Sequence, residues 1–166
     1  MLSVRELAQL ARTLDVEGFS AQIGPFALMQ RPPHEVRVKS SRGVVHTSAR
    51  PMLVMRPPPA SIDFGDLQVA LLPPPSADGS SELIIGRAPD CDVVVEDATV
   101  SKRHARIRWD GGHGVLRELG STNGTFVEGR RIKSSWTLED GNALGFGEAH
   151  FLYLLAPTLY RRMRQV

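Results

Sequence analysis

The chain has 166 residues, 42% hydrophobic and 23% charged, which suits a soluble globular protein of one ordinary domain plus an extension. No apolar run approaches the roughly 20 residues of a membrane helix, and "MLSVRELAQLARTL" breaks its apolar positions with Arg5, Glu6 and Arg12, unlike a secretory signal, so a cytoplasmic protein is expected. Cys91 is the only cysteine, which excludes an internal disulfide and any multi-cysteine zinc site, and the excess positive charge lies outside residues 67–155, where nine Lys/Arg face twelve Asp/Glu.

Ser3, with Glu6 three residues later, forms a capping-box signature ahead of Val4, Leu7, Leu10, Ala11 and Leu14, the apolar face of a helix that Gly18 is expected to end. Short strands follow in "FALMQ", "EVRVK", "GVVHT" and "PMLVMR", the middle two joined by "SSRG" as a hairpin. "RPPPASIDFGD", residues 56–66, reads as a linker.

From Leu67 the chain becomes a series of short strands: "LQVALL", "ELIIG", "DVVVE", "HARIRW", "GVLREL", "TFVEG", "NALGF" and "HFLYLL". Turn formers separate them, which indicates an all-β sandwich of antiparallel strands. The expected organisation is an N-terminal helix-plus-strands extension over residues 1–60, a β-sandwich over 61–156, and a basic tail over 157–166 whose "TLYRRMRQV" reads as a short helix or a frayed end.

Three polar loops punctuate the sandwich: Gly86 and Arg87; Ser101, Lys102, Arg103 and His104; and Ser121, Thr122, Asn123, Gly124 and Thr125. Loops at one end of a sandwich converge in space even when distant in sequence. Guanidinium, ammonium, hydroxyl and amide groups brought together in this way suit an anion, phosphate above all.

Those three motifs, with "LEDGNALGFG" at 138–147, resemble the forkhead-associated (FHA) domain, a phosphothreonine-recognition module, over roughly residues 67–156. The resemblance implies an FHA-type β-sandwich in which Arg87, Ser101 and Thr122 bind phosphate and Asn123 holds the ligand backbone. Lys102 and Arg103 would add charge or touch the peptide, Gly86 and Gly124 would serve turns, and His104 would support the loop that presents Ser101. Asn142 and Glu118 stand where the family usually has Asp, and neither is expected to touch the pocket.

The Ser101–His104 spacing invites a hydrolase reading, but no Gly-x-Ser-x-Gly elbow accompanies it, so no enzyme activity is expected. His34, His46, His113 and His150 lack metal-site spacing, and no cofactor is expected. The expected function is phosphothreonine-dependent binding of a partner in a Ser/Thr kinase pathway, either the kinase itself or its substrate. A phosphate-independent FHA scaffold or assembly protein is the alternative, self-association is open, and nucleic acid and membrane partners are not expected. Thr47 in "VVHTSARP" is a candidate phosphosite for self-binding.

Overall fold

The computed structural model describes residues 2–30, 68–71 and 81–165. The expected "EVRVK"–"GVVHT" hairpin, "PMLVMR", the 56–66 linker and Thr47 lie outside the described residues.

After the short strand β1 (Leu2–Ser3), helix α1 (Val4–Thr13) begins with the capping box: the Glu6 amide donates to Ser3 Oγ, and Glu6 Oε2 accepts from the Ser3 amide at 2.8 Å. The helix does not run on to Gly18. It stops at Thr13, and Asp15 caps a second helix, α2 (Val16–Ile23), through a 2.8 Å bond from the Gly18 amide to Asp15 Oδ1. A carboxylate at that position satisfies a free helical N–H better from outside a new helix than from inside an old one, so the chain breaks there. Gly24, at φ 86°, ends α2 in the left-handed region that glycine adopts without strain.

Strands β2 (Phe26–Gln30), β3 (Gln68–Leu71), β4 (Ser81–Gly86), β5 (Val93–Val94), β6 (Ala105–Trp109) and β7 (Gly114–Glu118) follow. Next come β8 (Thr125–Val127), β9 (Arg130–Ile132), β10 (Ser135–Leu138), β11 (Ala143–Phe146), β12 (Ala149–Leu155) and a closing helix α3 (Ala156–Met163). Among the described residues they build two sheets, β1-β3-β2-β12-β11-β8-β9 and β10-β7-β6-β4-β5. The sandwich is the expected one, with antiparallel pairing throughout except for β4 and β5, which run parallel.

Phe26, Leu83, Ile85, Ile107, Leu116 and Phe151 are among the buried side chains that fill the space between the sheets. A second core lies on the other side of the larger sheet, where Leu7, Phe19, Ile23, Leu154, Leu159 and Met163 meet. The continuous apolar runs of β2 and β12 are explained by this arrangement: Phe26 and Leu28 point into the first core, Ala27 and Met29 into the second. The N-terminal extension therefore supplies a strand between β3 and β12 and part of a helical layer over the outer face.

Strand register places the loops. Ala105 pairs with Ile85 on one side and Glu118 on the other, so the end of β4, the start of β6 and the end of β7 lie side by side.

Candidate functional site

At Gly86 the chain passes so close to the next loop that an added Cβ would sit 2.2 Å from the Lys102 carbonyl oxygen. Glycine at this position lets two backbones touch. The contact is stitched by the Arg87 amide donating to the Ser101 carbonyl and the Ala88 amide to the Lys102 carbonyl, each at 3.0 Å. Arg87 Nε also donates to the Val100 carbonyl at 3.2 Å, which orients the exposed guanidinium over the same loop. Its terminal nitrogens have no hydrogen-bond partner among the described residues.

His104 is fully buried and joins this loop to the next. The Ser101 amide donates to Nδ1 at 3.1 Å, so the ring proton resides on Nε2 and is donated to the Gly124 carbonyl at 3.1 Å. Burial pushes the imidazole pKa below its ordinary value, against the opposing pull of the Gly124 bond and the Glu118 charge. With both ring nitrogens committed to backbone groups, a neutral His104 is a strut and not a base for the Ser101 hydroxyl.

The third loop returns the contact. The Thr122 amide donates to Ser101 Oγ at 3.0 Å, which leaves the Ser101 hydroxyl hydrogen without an acceptor among the described residues. Asn123 Nδ2 donates to the Thr99 carbonyl at 2.7 Å, leaving its Oδ1 exposed. Thr99 is itself held by Asp97, whose Oδ1 accepts from both its amide and its hydroxyl at 2.7 and 2.6 Å.

Glu118 makes no bond to a proposed pocket residue and acts one step behind them: its half-buried carboxylate accepts from the Ser121 amide and, at 3.1 Å, from the Ser121 hydroxyl, and Ser121 Oγ in turn accepts from the Gly124 amide at 3.0 Å. It therefore sets the loop that carries Thr122 and Asn123. Asn142 stays apart as expected, accepting from the Glu139 amide. Gly124, at φ 91°, makes a turn that a residue with a Cβ resists, and the Arg131 side chain packs over it.

The structure thus brings Arg87, Ser101, Thr122 and Asn123 into one bonded network, with Gly86, His104 and Gly124 beneath. Lys102 and Arg103 are less engaged: Lys102 acts through its carbonyl, which accepts from the buried Cys91 thiol at 3.1 Å. Arg103 lies 3.5 Å from Asp90, with both side chains more than half exposed. Sequence reasoning missed Thr99 and Glu118; the Asp97-x-Thr99 spacing was the available signal for the first.

Residues 83–147 match the family described as the FHA domain. The chain is an FHA-domain protein. Its FHA segment is 38% identical over 72 residues to the glycogen accumulation regulator GarA of Mycolicibacterium smegmatis, covering 43% of this chain and 45% of GarA. The chain thus spans less than half the length of that relative. It is also similar, at 34% identity and TM-score 0.48, to a solved structure from an analysis of phosphothreonine-dependent FHA domain interactions, covering 55% of this chain and 88% of that one. A solution structure of an FHA domain from Arabidopsis thaliana, 21% identical, matches with TM-score 0.50 over 80% of this chain and 87% of that one, and it shares the fold. The FHA domain is a binding module that takes phosphothreonine peptides.

Proposed function

We propose that this protein recognises partner proteins phosphorylated on threonine, with Arg87, Ser101 and Thr122 contacting the phosphate and Asn123 the ligand backbone. The observation that carries this reading is the 3.0 Å bond from the Thr122 amide to Ser101 Oγ. It occupies one lone pair of the Ser101 oxygen and leaves the hydroxyl hydrogen to donate to a ligand, and phosphate oxygens accept. Arg87 adds unsatisfied guanidinium N–H groups from the adjoining loop, and a phosphate dianion meets both with charge-assisted hydrogen bonds.

Asn123 extends the site from phosphate to peptide. Its Nδ2 is fixed by Thr99, so Oδ1 presents an acceptor of defined direction for a ligand amide. Lys102 and Arg103 contribute long-range attraction, screened by salt. The partner is then a Ser/Thr kinase or one of its substrates.

Calorimetric titration with matched phosphothreonine and unmodified peptides tests the proposal. Binding confined to the phosphorylated form supports it. Equal binding of both forms returns the molecule to a phosphate-independent scaffold.

A further inference from the structure

The two sheets differ in what covers their outer faces. Helices α1, α2 and α3 close the larger sheet, whereas the outer face of β10-β7-β6-β4-β5 carries Arg106, Arg108 and Arg117, with the half-buried Ile84 opposite Arg106 and Val115 opposite Arg108. Glu82 is the one acid of β4, β6 and β7 on that face, and it is taken by Arg106, whose Nη1 lies 3.1 Å from Glu82 Oε2. Arg108 and Arg117 have no ion-pair or hydrogen-bond partner among the described residues.

The register sets Arg108 opposite Glu82, a favourable pair, but it also sets two arginines opposite each other. Arg106 pairs directly with Arg117, and like charges opposed across strands destabilise a sheet. The same register ties the face to the pocket, because Arg106 lies two residues after His104 and Arg117 one before Glu118. A chain leaving the three loops over this edge therefore meets the opposed arginines first and Arg108 next.

We propose that this face is a second docking surface, occupied by an acidic segment of the same phosphorylated partner. Charge complementarity names the occupant: Asp or Glu side chains neutralise the opposed pair, and the aliphatic stems of the arginines with Ile84 and Val115 supply apolar contact. The chain's own residues 31–67 have the wrong charge for it, with six Lys/Arg against three Asp/Glu. This inference rests on the phosphothreonine reading for its partner but not for its surface.

The test uses the Arg108→Gln/Arg117→Gln double variant, which spares the Arg106–Glu82 pair. A phosphothreonine peptide chosen from a library is titrated with and without a four-residue glutamate extension, placed at either end in separate arms. At low salt, one extension is expected to tighten binding to the wild type about three- to tenfold. The variant should lose that gain while binding the unextended peptide unchanged, and its melting temperature should not fall. An independent readout is the NMR spectrum with an unphosphorylated glutamate-rich peptide, whose shifts should cluster on β6 and β7 even if no phosphate-dependent binding is found. The proposal is overturned if neither extension helps, if the double variant keeps the gain, or if the face binds duplex DNA or RNA in preference to the acidic peptide. Loss of phosphate dependence with the β6–β7 shifts intact would sink the pocket reading and leave this one standing.

Discussion

His104 Nε2 lies 3.1 Å from the carbonyl oxygen of Gly124, so a buried imidazole spans the two loops that carry Ser101 and Thr122. Truncation to alanine leaves the Ser101 amide without its acceptor and opens a cavity against Phe146. His104→Ala should therefore lower stability by about 2 to 4 kcal/mol and weaken phosphopeptide binding, read from denaturant melts and titration.

The same residue gives a pH signature. Burial holds the folded pKa of His104 below the ordinary value of 6.5, so near that pH the unfolded chain takes up the proton more readily than the folded one. Its contribution is complete above the unfolded value and is lost as pH falls through the folded one. Stability should decline on acidification below about pH 6.5, and a folded His104→Asn protein should show a shallower decline. Parallel slopes for the two proteins would contradict this.

The polar loops and most sandwich strands were legible because turn residues and alternating patterns mark them locally. The break between Leu14 and Asp15 was not: the apolar spacing of α1 runs smoothly to Leu14, and only Asp15, as a second cap three residues before Gly18, betrays a new helix. The edge strand Ser135–Leu138 escaped because its residues are mostly exposed and carry little alternation. "FALMQ" reads as a strand, and its unbroken apolar run is explained only by the structure, where a helical layer buries its second face. The supporting role of Glu118 is not legible in sequence because it depends on a partner, Ser121, that lies beyond the end of its strand.

That layer leads to a stability prediction. Leu7 is fully buried among Phe19, Ile23 and Leu159, so Leu7→Ala should cost about 2 to 5 kcal/mol in chemical denaturation although it lies outside the FHA match. Deleting residues 1–30 should be worse, since it removes β2 from between β3 and β12, and should give insoluble protein. A soluble truncation with an unchanged melting temperature would show that the sandwich folds without the extension.

Gly86→Ala separates the site's backbone from its side chains. The new methyl would meet the Lys102 carbonyl at 2.2 Å, so the loop bearing Ser101 must move while Arg87, Ser101 and Thr122 all remain in the sequence. Binding should fall at least about tenfold with a stability loss of about 1 to 3 kcal/mol. Crystallography or amide shifts of residues 100–104 should register the displacement; an undisturbed loop with full binding would refute the close-contact account.

The most direct measurement is isothermal titration of wild type, Arg87→Ala and Asn123→Ala with matched phosphothreonine, phosphoserine and unmodified peptides. Wild type should bind the phosphothreonine form in preference to both others. Arg87→Ala should lose about ten- to a hundredfold, the equivalent of one charge-assisted hydrogen bond of roughly 1.5 to 3 kcal/mol, and Asn123→Ala should weaken binding while remaining folded. Equal wild-type affinity for phosphorylated and unmodified peptides, or a folded Arg87→Ala protein that binds undiminished, would contradict the account.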